Sequence, residues 1–295
     1  MLFLKQLWLE LIFRVSSRLP GDADWIIFGN KITLPRSHRL PLLQKIFPSY
    51  DTYFGEIFQK LEAIYPGATV IDVGANVGDT TLGILANAPS FHCVAVEGNE
   101  LFLKYRYHNL DSFRQNVTTV PKFLHCSKVG DFGYVDNGST GRFHSIGPHE
   151  ISNNGNKIRV KDLLEMHPSH LTIWKSDTDG SDVPIVIENL ELLDSKAGIW
   201  WLELDASLPA TDKSDIANLL HSTQIGDRKF LLFDNYGRLV MHGILSNYQD
   251  AILKLFDLLA FKNRRINSVN YYDIMLFDTK RFPILEEVIS SVSKS

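Results

Sequence analysis

The chain has 295 residues, which is enough for one large domain or two small ones. Hydrophobic residues make up 44% of it and charged residues 22%, as in an ordinary globular protein. The formal net charge is -4, and the densest basic cluster is only Lys262 with Arg264 and Arg265. Because nucleic-acid-binding proteins usually carry a basic face, we expect no nucleic-acid partner.

The two cysteines, Cys93 and Cys126, lie in apolar, strand-like stretches and have no CxxC partner. We therefore expect buried, reduced thiols and no zinc or other metal site. No apolar run near the start of the sequence is followed by a small-residue cleavage site, so a secretory signal is not indicated. These features favour a cytoplasmic protein.

The first nineteen residues form an apolar helix with one narrow polar stripe, marked by Gln6, Glu10, Arg14 and Ser17. The stretch is too short and too often interrupted by charge to cross a bilayer. Three interpretations stay open: packing on the chain's own core, a dimer interface, or peripheral contact with a membrane surface. In each of them residues 1–19 are an accessory.

Next comes a predicted hairpin, whose two apolar runs flank Gly29-Asn30, and then a basic connector that contains proline. We assign residues 1–50 to this helical and hairpin extension and residues 51–295 to the main domain. From there apolar runs typical of buried strands alternate with helical spacing. The predicted strands are 69–73, 92–96, 117–126, 171–175, 199–204, 230–233 and 271–277. The predicted helices are 52–65, 79–87, 100–113, 183–193, 212–223 and 248–261.

This alternation predicts an α/β, Rossmann-like domain, with a mainly parallel sheet and helices on both faces. The short interval between residues 233 and 240 also allows an antiparallel edge. An irregular excursion over residues 130–156 contains short β pieces. Such an architecture is compatible with both a dinucleotide-binding and a methyltransferase fold, so the choice rests on the binding turn.

The turn after the first strand reads Asp72-Val-Gly74-Ala-Asn76-Val-Gly78-Asp79. A dinucleotide site needs G-x-G-x-x-G, because pyrophosphate rests on the helix N-terminus. Here the two glycines are four residues apart, and Asp72 brings a negative charge that repels phosphate. S-adenosylmethionine carries an ammonium and a sulfonium but no phosphate, so this turn favours it over NAD.

Glu97 is the second anchor of the predicted cofactor site. It ends the second strand, about twenty residues beyond Gly78, where an acidic side chain accepts hydrogen bonds from both hydroxyls of a ribose. The predicted cofactor-binding residues are Asp72, Gly74, Ala75, Asn76, Gly78, Thr80, Glu97, Asn99, Ser127 and Asp177.

Three ordered motifs resemble the FkbM family of class I, S-adenosylmethionine-dependent methyltransferases. They are the turn at residues 72–81, Val96-Glu97-Gly-Asn, and Trp174-Lys-Ser-Asp-Thr-Asp-Gly180. The resemblance covers roughly residues 66–277. It implies a seven-stranded sheet with an antiparallel last strand, and O-methylation of a sugar, glycan or natural-product hydroxyl. In this chain Asp179 stands where the family more often has Glu.

Methyl transfer from a sulfonium needs a positioned acceptor and a base for its proton. Asp177 is the first candidate for cofactor contact or base, and Asp179 is the second, although capping of the following helix is an equal alternative for Asp179 and Asp182. Further candidates are His125, His144, His149, Glu203 and Asp205. Two other functions stay open: N-methylation, disfavoured because an Asn/Asp-Pro-Pro-aromatic tetrapeptide is missing, and a non-catalytic binding subunit.

Overall fold

Apolar strands build the centre of the molecule. The computed structural model describes residues 2–127, 132–136, 141–145, 156–178, 180–205, 211–260 and 269–292. Its strands are β1 (Asp22–Ile27), β2 (Asn30–Pro35), β3 (Thr69–Val73), β4 (His92–Val96), β5 (Val117–Val120), β6 (Phe123–Leu124), β7 (Phe132–Asp136), β8 (Gly141–Ser145), β9 (Lys157–Ile158), β10 (Thr172–Ser176), β11 (Ile199–Leu204), β12 (Lys229–Asp234), β13 (Leu239–Ile244) and β14 (Tyr272–Phe277).

Helices connect most of these strands. They are α1 (Leu2–Ser16), α2 (Leu40–Ile46), α3 (Gly55–Ile64), α4 (Asp79–Asn87), α5 (Glu100–Asn109), α6 (Val160–Leu164), α7 (Asp182–Glu188), α8 (Leu190–Lys196), α9 (Lys213–Leu220), α10 (Gln249–Ala260) and α11 (Leu285–Val292). The ends of several follow from local chemistry. For example, Asp212 accepts a hydrogen bond from the Asp215 amide, and Asp215 accepts one from the Asp212 amide, which makes a capping box at the start of α9.

The main sheet has eight strands in the spatial order β5-β4-β3-β10-β11-β14-β12-β13. Strands β5, β4, β3, β10 and β11 pair in parallel, whereas β14 runs antiparallel to both of its neighbours, β11 and β12. The predicted Rossmann-like, mainly parallel sheet with an antiparallel last strand is confirmed. From β3 the chain moves outward through β4 and β5, then returns to β10 and continues the other way. The switch point between β3 and β10 is where such sheets bind ligands.

Two corrections concern the end of the chain. The sheet has eight strands where seven were expected, and the eighth, β13, pairs antiparallel with β12 and forms the antiparallel edge that the short interval between residues 233 and 240 allowed. The last strand, β14, does not close the chain, because the amphipathic helix α11 follows it and buries Leu285, Val288 and Ile289. The long strand predicted over 117–126 is broken into β5 and β6, and the helix predicted over 183–193 is broken into α7 and α8.

The N-terminal hairpin is present, but its turn lies one residue earlier than predicted. Phe28 and Gly29 are the turn residues, with φ of 48° and 74°, which is the two-residue hairpin turn with left-handed residues at both positions. The connector after it contains helix α2, which the sequence analysis missed. Ile27, Ile32 and Leu34 of the hairpin pack with residues of α4 and α5 in one apolar cluster. The domain boundary at residue 50 stays a prediction.

Among the described side chains of α1, those of residues 7–16, the large apolar ones are exposed or half-buried, so this part of the helix buries no apolar side on the chain's own core. Its least exposed described side chain is the charged Glu10, which accepts a hydrogen bond from Arg39 Nη2 at 3.1 Å. Phe13 lies beneath the same guanidinium, whose carbon is 5.7 Å from the ring centre. Large apolar side chains of α1 are exposed instead. Cys93 and Cys126, in contrast, are buried free thiols, as expected.

Candidate active site

A buried ion pair joins the ends of β3 and β10 at the switch point. Lys175 Nζ lies 2.9 Å from Asp72 Oδ1, and the two side chains are 4% and 0% exposed. The Thr81 hydroxyl in the first turn of α4 donates a hydrogen bond to Asp72 Oδ2 at 2.6 Å. Burial alone would lower the pKa of Lys175, but the attraction of Asp72 and then Asp177 outweighs it and holds that pKa above its usual value. Lys175 is therefore charged, and its ion pair fixes Asp72 in place.

Gly74 is required by the close approach of two strand ends. Its φ is +79°, and a Cβ built there would lie 1.8 Å from the Asp177 carbonyl oxygen. The Asp177 amide also donates a hydrogen bond to the Val73 carbonyl at 3.0 Å. Gly78, with φ +88°, lies against Arg106 and Leu110 of the region around α5. Both glycines thus serve tight backbone packing within the protein.

Glu97 organises the turn that precedes α4. The Asn76 amide donates to Glu97 Oε2 at 3.0 Å, and the Asn99 amide donates to Glu97 Oε1 at 2.7 Å. Burial raises the pKa of Glu97, and these amides counteract part of that rise. Ala75 is buried, and Asn76 has the left-handed φ of 45°. Because each carboxylate oxygen accepts two hydrogen bonds, the amides leave acceptor capacity on Glu97 for a diol.

Asp79, at the start of α4, is a buried carboxylate aimed at the ion pair. It is 8% exposed, and no side chain of the described residues donates a hydrogen bond to it. Burial, offset in part by the field of Lys175, raises the pKa of Asp79 to about 6. Asp177 lies at the open side, 54% exposed, with Oδ2 3.7 Å from Lys175 Nζ. Asp79 and Asp177 therefore approach the same ammonium from a buried and a solvated position.

Asp182 shapes the loop after β10, and it does so from inside the protein. It is 1% exposed and accepts hydrogen bonds from the Ser176 hydroxyl at 2.6 Å and the Thr178 amide at 3.0 Å. Burial, followed by repulsion from Asp177, raises its pKa to about 6. Its place is structural, since its two donors, Ser176 at the end of β10 and Thr178 in the following loop, lie on either side of Asp177. Asp179 lies outside the described residues.

A second set of polar residues, which was not predicted from the sequence, lies on the far side of the crevice. Asp51 comes from the segment between α2 and α3, and Asp273 comes from β14. Burial raises the pKa of Asp51 and then repulsion from Asp79 raises it further, while burial and then Asp177 raise that of Asp273. Tyr50 and Tyr271 lie beside each other here, and burial raises both phenol pKa values. No local motif contains Asp51 or Asp273, although each lies within two residues of a tyrosine.

Two more residues missed from the sequence support the turn from behind. His38 of the N-terminal segment lies beside Asn76, and its Nδ1 accepts a hydrogen bond from the Leu40 amide at 3.3 Å. Burial lowers the pKa of His38 to about 4, so its ring is neutral at physiological pH. Arg106 of α5 is fully buried behind Gly78. Burial lowers the pKa of its guanidinium, and the nearby carboxylate of Glu97 opposes part of that lowering. The extension before residue 50 thus contacts the predicted cofactor turn.

The remaining predicted site residues have other partners or lie elsewhere. Thr80 is half-buried in the first turn of α4, while its neighbour Thr81 contacts Asp72. The Asn99 side chain accepts a hydrogen bond from the Leu101 amide at 2.9 Å and caps α5. The exposed Ser127 donates from its amide and its hydroxyl to Glu188 Oε2, at 2.8 and 2.7 Å.

The alternative bases have mixed positions. His125 is exposed, and its amide donates to the Ile158 carbonyl at 2.8 Å. Glu203 and Asp205, at the end of β11, are half-buried. The backbone of His144 lies in β8, whereas His149 lies outside the described residues, as do Lys262, Arg264 and Arg265.

Acidic groups outnumber basic ones around the switch point. The carboxylates described above are Asp51, Asp72, Asp79, Glu97, Asp177 and Asp273, and the cations near them are Lys175 and Arg106. Within the described parts of the chain, no group of three or more His, Cys, Asp or Glu side chains has an arrangement that could hold a metal ion. The ends of β3 and β10 therefore lie among more acidic than basic groups.

No protein-family model and no curated protein matches the sequence. Solved structures that resemble the chain include a delta-N METTL16 MTase domain, with 11% identity, TM-score 0.44, and coverage of 94% of this chain and 98% of that one. The plantazolicin methyltransferase BpumL in complex with SAH has 10% identity, TM-score 0.39, and coverage of 78% and 83%. Precorrin-6y C5,15-methyltransferase from Geobacter metallireducens GS-15 has 11% identity, TM-score 0.36, and coverage of 76% and 86%.

Likenesses this distant carry no argument about activity or substrate. The fold follows from the chain's own sheet: three parallel strands run outward from β3, two more continue from β10, and the antiparallel β14 is inserted between β11 and β12. The antiparallel β13 and the N-terminal helix and hairpin are additions to that pattern. The chain has the fold of the class I S-adenosylmethionine-dependent methyltransferases.

Proposed function

We propose that this protein is an S-adenosylmethionine-dependent methyltransferase that methylates a hydroxyl group of a sugar, a glycan or a related small molecule. The observation that carries the proposal is the acid-lined crevice at the switch point, with Glu97 on one side of the turn and Asp79 on the other. The FkbM resemblance of the motifs supports the choice of a hydroxyl acceptor.

The residues present fit this cofactor. Asp79 is a buried carboxylate without a side-chain donor among the described residues, which suits a cationic group close by. Glu97 keeps acceptor capacity for the two hydroxyls of a ribose. A pyrophosphate fits poorly, because Asp72, Asp79 and Asp177 surround the place that it would need.

When bound, S-adenosylmethionine supplies an electrophilic methyl group on a sulfonium. Asp72 and Lys175 hold the ends of β3 and β10 together, so that the turn and Asp177 keep a fixed separation. The Asp177 carboxylate is exposed at the crevice, where it would accept the proton of an acceptor hydroxyl as a general base. The apolar core beneath the strand ends keeps these groups on a rigid base, and such positioning supplies much of the rate.

An amine is the second candidate acceptor. The surplus of carboxylates that favours a sulfonium also favours a protonated amine, which would have to lose its proton before it is methylated. Asp51 and Asp273 lie opposite Asp177 and would face such a substrate. The nature of the methylated atom therefore separates the two candidates.

The test is transfer of an isotopically labelled methyl group from S-adenosylmethionine to fractionated sugars, glycans and amines of the host cell. We expect label in hydroxyl acceptors and a fall of about a hundredfold or more in Asp177→Asn, as for loss of a catalytic base. Asp111→Asn, an exposed residue after α5, is the matched control and should keep full activity. Label only on amines would replace the hydroxyl proposal, and cofactor binding without transfer to any fraction would favour the binding-subunit alternative.

A further inference from the structure

Helix α1 presents a continuous apolar stripe to solvent. Its members are Leu7, Trp8, Leu11, Ile12, Val15 and Leu19, the last just beyond the helix end, and their exposed fractions lie between 43% and 62%. Positions 7, 11 and 15, together with 8 and 12, are four residues apart and share one side of the helix. An exposed apolar surface of this size is uncommon on a free globular protein and marks an interaction site.

The body of the protein contacts α1 through the other side. Glu10 is 8% exposed and forms an ion pair with Arg39, which directly precedes α2. The ring of Phe13 lies under the same guanidinium. This anchoring fixes the rotation of α1 about its own axis, so the apolar stripe points away from the protein and cannot turn inward without breaking the ion pair.

The N-terminal segment that carries the stripe is basic. Residues 1–50 contain seven Lys or Arg and three Asp or Glu, a formal charge of +4, whereas the whole chain carries -4. On α1 itself, Arg14 is 73% exposed, and Arg18 is exposed just beyond the helix. Arg14 lies three residues after Leu11 and Arg18 lies three residues after Val15, so both lie beside the apolar stripe. Long basic side chains in such places reach the level of lipid head groups while their stems stay in apolar contact.

The dimensions of α1 fit a helix that lies in the plane of a membrane surface. Fifteen residues span about 22 Å, which is less than the roughly 30 Å thickness of a hydrocarbon core. In agreement, the described part of the chain contains no helix that is long and apolar enough to cross a bilayer. An apolar side with a large aromatic residue and flanking arginines is the pattern of interfacial amphipathic helices.

We propose that the stripe on α1 docks the protein on the surface of membranes that contain anionic lipids, with Arg14 and Arg18 at the head groups. A second copy of the chain is the alternative occupant. The local charge favours lipid, because two copies that meet through this face would bring two sets of arginines together, whereas an anionic bilayer neutralises them.

The test is co-sedimentation of the full chain with vesicles of phosphatidylcholine alone and of phosphatidylcholine mixed with phosphatidylglycerol. We expect binding to the mixed vesicles that weakens as salt is added, because exposed charges are screened. Trp8→Ser/Leu11→Ser/Val15→Ser should bind about a thousandfold more weakly or not at all, since each of the three large apolar side chains contributes about tenfold. The matched control is Leu101→Ser/Tyr107→Ser on α5, two exposed apolar residues away from the stripe, which should bind like the unaltered protein.

A second variant guards against misfolding of the first. Arg14→Glu/Arg18→Glu changes only exposed side chains and should lose the preference for phosphatidylglycerol, with an unchanged circular dichroism spectrum. The proposal is overturned if the unaltered protein ignores mixed vesicles, or if the triple serine variant binds them equally well. A concentration-dependent dimer that the triple variant abolishes, without vesicle binding, would assign the stripe to a second copy of the chain.

Discussion

Removing the charge of Lys175 tests the buried ion pair at the centre of the site. In Lys175→Met, Asp72 keeps its hydrogen bond from Thr81 but loses the ammonium that lies 2.9 Å away. Asp72 is 0% exposed, so its carboxylate cannot recover hydration without local unfolding. Breaking a buried pair by removing one partner typically costs about 3–5 kcal/mol. Since a domain is stable by only about 5–15 kcal/mol, we expect a large fall in the free energy of unfolding.

The double variant Lys175→Met/Asp72→Asn separates the lost attraction from the orphaned charge. Because asparagine keeps an acceptor for Thr81 and carries no charge, the double variant should recover about 1–3 kcal/mol relative to the sum of the two single variants. Urea unfolding followed by circular dichroism gives the free energies. Lys213→Met, which removes a half-exposed pair with Asp257, is the control and should cost less than about 1 kcal/mol. A Lys175→Met variant as stable as the Lys213→Met control would refute the importance of the pair, and additive losses would refute the coupling.

Two further predictions concern the turn and its buried acid. In urea unfolding, Gly74→Ala should lower the free energy of unfolding by at least about 2 kcal/mol more than Gly67→Ala does. Both glycines have a left-handed φ, but of the two only a Cβ at Gly74 would meet a backbone oxygen. Equal losses of stability would show that the strand ends move apart easily. Burial in the folded protein raises the pKa of the Asp79 carboxyl to about 6. The folded state therefore binds the carboxyl proton more tightly than the unfolded chain does, and the stability that this proton contributes is lost as the pH rises through about 6. Asp79→Asn should therefore gain up to about 3 kcal/mol above that pH and flatten the pH dependence between pH 4 and about 6; an unchanged pH profile of unfolding would contradict the burial of its charge.

The central strands and the turn could be predicted from sequence because their signals are local. Strand β3 is buried along its whole length, so the run from Thr69 to Val73 is apolar apart from Thr69 and Asp72. The following turn needs a left-handed backbone at two positions, and the sequence has glycine at both of them, Gly74 and Gly78. By contrast, β13 alternates between half-buried and exposed residues at the sheet edge, and α2 has only seven residues with a proline near its start. The alternation of β13 is one of burial and does not appear in its sequence as alternating polar and apolar residues, and α2 is too short for a clear helical pattern.

The far side of the crevice could not be predicted, because it is assembled by long-range packing. Asp51 and Asp273 are separated by more than two hundred residues, and they come together only when β14 inserts beside β11 and the segment before α3 packs over the sheet. The orientation of α1 was also hidden. The sequence left three interpretations of residues 1–19 open, and only the position of Arg39 shows that Glu10 of the polar stripe faces the body. The sequence pattern of a helix separates its polar from its apolar side. Which of these sides is buried depends on the segment that packs against the helix.

The most direct test of the proposed cofactor site is calorimetric titration of the full chain with S-adenosylmethionine and S-adenosylhomocysteine. We predict saturable one-to-one binding of both ligands. Glu97→Gln, which keeps one acceptor oxygen and removes the charge, should bind at least about tenfold more weakly, since a lost hydrogen bond to a charged group costs about 1.5–3 kcal/mol. Glu100→Gln, an exposed neighbour at the start of α5, should bind normally. Absence of saturable binding, or equal affinities of the Glu97→Gln and Glu100→Gln variants, would contradict the assignment of this crevice to S-adenosylmethionine.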